Sequence, residues 1–326
     1  MKPVVSVIIP TYNRRELLRR TLLSLADQTY PADRFEVVVV DDGSADGTGE
    51  MVKSLRVPYS LKYVRQPNRG RAAARNAGVR AADADLLIFL DSDVAVAREF
   101  VEAHVEAHTE PMRVVKGPVI HVDSLDVPLD AEPKLTDFSS AFFATANVSV
   151  ARRHFEEAGM FNEVFREYGW EDLEAGDRLR ALGLRSFTAS RARGYHYSPA
   201  WRPGDLPGQR ERERQRGRTG IIYYRMRPTF RGRAKLLLFR PVFWIDRLLF
   251  PWEWCEASSF QRLLAFLHRR GPRWLLRLLV RIVLHHDYVA GMREGLGRYG
   301  PPAEEDRCSY GNVSAAVEKD PEKPDK

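Results

Sequence analysis

Cysteine is almost missing: Cys255 and Cys308 are the only two in 326 residues. Two isolated thiols make neither a disulfide framework nor a structural zinc site, and both read as reduced thiols in a reducing compartment. Long apolar runs are also missing. The longest stretches, around Leu236 and Trp274, are broken by Arg or Asp within a few residues, far short of the roughly 20 that a membrane span needs. Val4 to Ile9 is too short for a secretory core and no small-residue cleavage site follows, so the sequence predicts no export and a cytoplasmic location. No glycine-rich loop follows Ile9. This argues against a dinucleotide-dependent oxidoreductase, and against a sugar-1-phosphate nucleotidylyltransferase, which needs such a loop to hold a triphosphate. No zinc knuckle or aromatic RNA-binding signature is present, which argues against nucleic acid as the partner of a basic binding module. No internal repeat is evident.

What is present is an apolar fraction of 44%, enough for a sizeable core, and 51 Lys plus Arg against 44 Asp plus Glu. The resulting net charge of +7 suits anionic ligands in general, nucleotide diphosphates and acidic lipids among them.

The order along the first hundred residues is strand, loop, helix, repeated. Val4 to Ile9 is a β-branched run; Leu17, Leu18, Leu22 and Leu25 then recur at helical spacing behind Asn13, a candidate cap with Glu16 three residues on. Further strands fall at Val37 to Val40, Leu61 to Val64 and Leu86 to Leu90, with helices at about Met51 to Leu55 and Arg71 to Ala82. Such alternation predicts an α/β fold with a mostly parallel central sheet. The strands are continuously apolar, as burial on both faces requires. In open α/β sheets ligands bind beyond the carboxyl ends of the strands, so Thr11-Tyr12-Asn13, Asp41-Asp42 and Asp91-Ser92-Asp93 are expected to converge on one crevice.

Asp91 and Asp93 lie two apart at the end of a buried strand and in extended backbone point the same way. Paired carboxylates at a ligand site suit Mg²⁺ or Mn²⁺, with phosphate oxygens completing the shell. The competing reading is that Asp91 caps a helix beginning near Val94. Asp41-Asp42-Gly43-Ser44 likewise reads as a turn with a helix cap whatever else it does.

The ordered array Pro10-Thr11-Tyr12-Asn13-Arg14, Asp41-Asp42-Gly43-Ser44, Asn68-Arg69-Gly70 with Ala74-Arg75-Asn76-Ala77-Gly78, and Asp91-Ser92-Asp93 closely resembles the nucleotide-sugar-binding half of family-two glycosyltransferases. The resemblance implies a GT-A (Rossmann-like) mixed sheet flanked by helices, a divalent metal, inversion at the anomeric carbon, and non-processive transfer to a saccharide or lipid-linked acceptor, as in polysaccharide or cell-envelope synthesis. Membrane helices and the Gln-x-x-Arg-Trp motif of processive synthases are not evident. Carried onto this chain, Pro10, Thr11, Tyr12 and Asn13 would lie against the nucleotide, Asp42 or its neighbour Asp41 would accept hydrogen bonds from base or ribose, and Arg75 and Asn76 would line the pocket. Asp91 and Ser92 would meet the nucleotide sugar, Asp91 and Asp93 the metal. The nucleotide expected from frequency in the family is UDP. Arg69 and Arg71 are read as surface charges.

Inverting transfer needs a carboxylate opposite the departing diphosphate. Gly169-Trp170-Glu171-Asp172-Leu173-Glu174 matches the family's Glu-Asp motif, making Asp172 the base and Glu171 its helper, with Arg178 as the family's helical arginine; simple complementation of a helix dipole is the alternative. Asn147, in Ala144 to Ser149, and Trp170 are candidates for acceptor binding. His196, within Tyr195-His196-Tyr197, is a candidate third metal ligand, and a structural histidine is the competing reading.

The expected organisation is a catalytic domain at 1–198 (nucleotide-sugar half 1–110, acceptor half 111–198), a basic flexible loop or lid at 199–234, a helical basic amphipathic region at 235–300 and a disordered tail at 301–326. Arg277 and Arg281 form a basic stripe on an apolar helix, which predicts packing within the chain or homodimerisation, with peripheral membrane contact as the third reading.

Overall fold

The computed structural model describes residues 3–125, 129, 131–250 and 254–300. The tail expected at 301–326 lies outside the described residues. The chain divides into two compact units, residues 1–166 with 171–200, and residues 167–170 with 201–326.

In the first unit the order is β1 (Val5–Thr11), α1 (Arg15–Leu25), β2 (Phe35–Asp41), α2 (Thr48–Ser54), β3 (Ser60–Arg65), α3 (Arg71–Ala81), β4 (Leu86–Leu90), β5 (Val94–Val96), α4 (Phe100–Ala107), β6 (Arg113–Lys116), β7 (Val119–Val122), β8 (Asn147–Ala151), α5 (Arg152–Glu157), α6 (Glu171–Ala181), β9 (Arg185–Thr188) and β10 (Gly194–Tyr197). A seven-stranded sheet runs β3-β2-β1-β4-β8-β6-β9, and a three-stranded sheet runs β5-β10-β7. Strands β1 to β4 are mutually parallel, and β8 is antiparallel to both β4 and β6. The sheet is therefore mixed and mostly parallel.

The uninterrupted apolar strands follow from burial on two sides. Val5, Val7 and Ile9 of β1 pack with Leu18, Leu22 and Leu25 of α1, whereas Ile8 packs with Val38, Val40, Ala74 and Val79 on the other face. Alternate side chains enter different core layers, and the polar exceptions ahead of the strand ends, Ser6 of β1 and Glu36 of β2, are buried with the Ser6 hydroxyl donating to Glu36 at 2.6 Å.

Two local expectations are corrected. Asn13 does not cap α1: it sits at φ 51° and its side chain accepts from the amide of Ala45, while the Arg15 amide donates to Asp46 from another loop. Nor does a helix start near Val94. Residues 94–96 form β5, and α4 begins only at Phe100, so Asp91 is not a helix cap.

The second unit is helical: α7 (Leu206–Met226), α8 (Phe230–Leu236), α9 (Arg240–Leu249), α10 (Ser258–Arg270) and α11 (Arg273–Tyr299). The segment expected as a loop or lid at 199–234 is thus largely helix. Its charge run is solvated on one side only: Glu211 and Arg212 are exposed, whereas Arg210 and Arg214 both pair with fully buried Asp287 of α11, at 2.6 and 2.8 Å. A buried carboxylate with two guanidinium partners is compensated; composition alone could not foresee a partner some 70 residues away.

Helices α7 and α11 approach closely because glycine faces backbone on each side. A Cβ on Gly291 would lie 2.0 Å from the Arg214 carbonyl oxygen, and one on Gly217 would lie 2.2 Å from that of Tyr288. Gly291→Ala should therefore force the helices apart and destabilise the chain by about 3 kcal/mol. Urea unfolding of Gly291→Ala beside the exposed control Gly297→Ala measures this, and equal midpoints for the two variants would contradict it.

Candidate active site

The site begins at strand ends. In the β1–β2 register Thr11 pairs with Asp41, so the two loops that follow leave the sheet side by side. Tyr12 is 49% exposed at the rim, whereas Thr11 is buried. Asp41 accepts from the Ser44 amide at 2.7 Å and from the Tyr63 hydroxyl at 2.6 Å. Asp42 accepts from Gln66 and from the amides of Arg69 and Gly70, at 2.7 to 2.9 Å. Both aspartates thus tie loops together, and Asp42 shapes residues 66–70.

Beyond β4 the chain passes through Asp91, Ser92 and Asp93. Ser92 is buried and its carbonyl accepts from the Thr21 hydroxyl at 3.1 Å. Asp91 and Asp93 then take different partners. Arg75 of α3, only 2% exposed, donates through one guanidinium nitrogen to Asp91 and through another to Glu171, each at 3.0 Å. A single cation therefore joins the end of β4 to the first turn of α6. Asp93 pairs instead with Arg14 and with His196, whose Nε2 lies 3.4 Å away. His196 is delivered by β10, where it pairs antiparallel with Val94 and the Tyr197 amide donates to the Asp93 carbonyl.

The electrostatics separate these acids. Burial works against ionised Asp93, but the hydrogen bond from His196 and the charge of Arg14 outweigh it and hold the carboxyl down at about 2. The same hydrogen bond to Asp93 raises the His196 imidazole above its ordinary range. Asp172 is driven the other way. Burial and the neighbouring charge of Glu171, partly offset by Arg75, push it up to about 7.

Polar atoms without partners gather here. Among the described residues nine buried side-chain N or O atoms lack a hydrogen bond, and four of them, Thr11 Oγ1, Arg75 Nε, Glu171 Oε2 and His196 Nδ1, belong to residues of this site. Orphaned buried groups mark a place where a ligand or water completes the bonding.

Among the described residues no three His, Cys, Asp or Glu side chains converge as a metal shell. The donor chemistry fits a divalent cation all the same: a carboxylate of depressed pKa faces an imidazole nitrogen, and Asp93 already holds a cationic group, the Arg14 guanidinium. Asp91, engaged by Arg75, would have to share its carboxylate.

The sequence profile of glycosyl transferase family 2 matches residues 6–169, half of the chain. The chain belongs to glycosyltransferase family 2. Validoxylamine A glucosyltransferase of Streptomyces hygroscopicus subsp. jinggangensis (strain 5008) is 38% identical to this family-2 chain over 221 residues, covering 56% of the chain and 52% of that protein. The chain spans about half the length of the curated relatives first matched. Among solved structures, mannosyltransferase PcManGT from Pyrobaculum calidifontis, in complex with GDP-Man and Mn²⁺, aligns with TM-score 0.59 at 21% identity, covering 91% of this chain and 88% of that one. S. aureus TarS 1-349 in complex with UDP-GlcNAc aligns with TM-score 0.50 at 19% identity, covering 91% and 92%. These two likenesses show the shared GT-A fold.

Three residues read from the family-2 pattern have other work. Asn76 does not line a pocket: its amide donates to the Phe161 carbonyl and to Glu163 and accepts from the Phe161 amide, which pins the segment before α6. Asn147 is 1% exposed, donates to the carbonyls of Pro118 and Ala192 and accepts from His104, so no surface is left for an acceptor. Trp170 is 6% exposed within the second unit, its indole N–H on the Arg216 carbonyl at 2.9 Å and its ring stacked on Tyr223. Those contacts hold it at φ 72°, next to Gly169 at φ 103°, a conformation that costs a bulky residue of order 1 kcal/mol or more. Arg178 binds Glu174 one turn back and the carbonyls of Ala158 and Met160, and so braces α6.

Sequence reasoning missed two features. Arg14 was visible in the first motif, but nothing local says that it reaches Asp93. A buried cluster behind the site was invisible: His104 and His108, one turn apart on α4, both meet the Ser149 hydroxyl at 2.8 Å. Burial pushes His104 down to about 3 and His108 down to about 4, from an ordinary 6.5. Both rings stay neutral in the folded chain while unfolded ones take up protons, so stability is full above pH 6.5 and falls as the pH drops towards these lowered values, by up to about 1.4 kcal/mol per pH unit for each ring. Urea midpoints from about pH 7 to about pH 5 should fall more steeply for the native chain than for His108→Gln; parallel profiles would exclude the assignment.

Proposed function

We propose that this chain transfers a sugar from a nucleotide-diphosphate donor to a hydroxyl acceptor by direct displacement, with inversion at the anomeric carbon. The observation that carries the reading is Asp172, a carboxylate raised to about 7 and linked through Glu171 and Arg75 to Asp91 at the end of β4. A general base works best when its pKa lies near the working pH, and a carboxylate at about 7 can take a proton from a sugar hydroxyl as the bond to the donor forms.

The strand-end loops would hold the donor. Thr11 and Tyr12 offer a hydroxyl and a ring at the crevice, and the orphaned Thr11 oxygen has an acceptor or donor to gain there. Asp42 acts indirectly, by fixing the backbone of residues 66–70. Asp93 and His196, with Asp91, would hold Mn²⁺ or Mg²⁺; when bound, the ion supplies positive charge to neutralise the departing diphosphate. Arg14, already on Asp93, would present its guanidinium to the same phosphates. The nucleotide sugars and Mn²⁺ named with the structural neighbours accord with this assignment. The acceptor class proposed is a saccharide, free or lipid-linked, and UDP-sugars are the donors proposed for the first trials.

Asp172→Asn keeps the shape of the site and removes the base. Turnover should fall by about 10³-fold while donor affinity by calorimetry stays within about twofold, and kcat/KM of the unaltered chain should rise with pH through about 7 as Asp172 loses its proton. Turnover surviving in Asp172→Asn would show that another group takes the proton.

A further inference from the structure

We propose that the helical unit docks on an anionic lipid bilayer, led by the outward apolar face of α9. A helix packed on a protein core turns its apolar side inward. α9 does the reverse: its buried residue is Asp246, held by His286 and Arg293 at 2.8 Å each, while Trp244, Ile245, Leu248 and Leu249 are 76, 54, 70 and 53% exposed. Trp244 and Leu248 lie one helical turn apart on the same side. α10 and the first half of α11 bury apolar residues, Phe260, Leu264 and Leu267 on one and Leu276, Val280 and Val283 on the other, but they also leave Leu263 and Phe266, and Trp274 and Leu278, exposed.

Charge identifies the occupant. Exposed arginines accompany each apolar row: Arg240 and Arg247 on α9, and Arg262, Arg269 and Arg270 on α10. α11 adds Arg273, Arg277 and Arg281 before Leu284. Across these three stretches the single acid is Asp246, which is buried. Exposed tryptophan and leucine set among arginines match the acyl boundary and phosphate layer of an anionic membrane surface. A second copy of the chain is a poor occupant, because a two-fold contact would set arginines against arginines. Arg281 also lines a cavity of about 250 Å³ with Arg216, Lys235, His285, Tyr288 and one acid, Glu213, on its polar side and Leu237 and Leu284 on its apolar side, a net basic lining that suits a phosphate carried on a lipid. Among the described residues no helix is long and apolar enough to cross a membrane, so the contact is with the surface.

Co-sedimentation of the full chain with phosphatidylcholine vesicles, with and without phosphatidylglycerol, tests this independently of sugar transfer. Binding is expected only to the anionic vesicles, weakened by added salt and reduced about tenfold or more in Trp244→Glu/Leu248→Glu. Circular dichroism would show that this double variant keeps its fold, as exposed positions allow. Arg273→Glu/Arg277→Glu should lose binding as well, whereas Asp93→Ala, altered in the donor site, should bind like the native chain. No binding to anionic vesicles, equal binding to neutral ones, or undiminished binding by both double variants would overturn the proposal. So would a native chain that dimerises through this face, or takes up an acidic protein there, while ignoring lipid.

Discussion

A guanidinium with 2% exposure has no water to screen it, and Arg75 is the charge on which the arrangement of the first unit's site depends. Isolated, such a cation would cost several kcal/mol to bury; with Asp91 and Glu171 each at 3.0 Å and the Phe161 ring 5.6 Å away, it is compensated on two sides and packed on a third. The consequence is geometric. Arg75 is carried on α3, which lies against β1 and β2, and it reaches both the end of β4 and the start of α6. Asp91 lies near the middle of the glycosyl transferase profile and Glu171 just past its end, so one buried ion pair sets the position of the first turn of α6 relative to the end of β4. Losing both carboxylates would leave the guanidinium charge unpaired in the interior, so the acids are a structural requirement of the fold.

The surroundings of Asp172 and Asp93 separate their protonation states. Glu171 stays beside the positive charge, and its own negative charge then falls on Asp172, which burial has already raised. Asp93 experiences the opposite surroundings, with Arg14 and an imidazole held above its ordinary pKa. The two aspartates are thereby driven in opposite directions, one fit to remain an anion, the other fit to exchange a proton.

The parallel strands were legible because burial on both faces fills nearly every position with apolar residues, and the candidate site was legible where it coincides with strand ends: Thr11, Asp41 and Asp91 each lie at the end of an apolar run. What lay beyond reach was any role set by a distant partner. Asn147 and Trp170 have the chemistry to bind a sugar, yet one is consumed by two carbonyls and His104 and the other by Arg216 and Tyr223. The Arg210 to Arg214 run has the composition of a solvated loop, yet it lies in a helix whose inner face is held by Asp287 and by the glycine contacts between α7 and α11. α9 hides its meaning in the same way: the sequence shows an amphipathic helix, and only the fold shows that its apolar side faces out.

Direct displacement by a hydroxyl whose proton passes to Asp172 has one stereochemical outcome. The measurement is proton NMR of the first-formed glycoside when the chain turns over a nucleotide-sugar donor. The account predicts an anomeric configuration opposite to that of the donor. Retention of the donor's configuration would contradict it, because the sugar would then have passed through a second displacement that no base acting on the acceptor alone can supply.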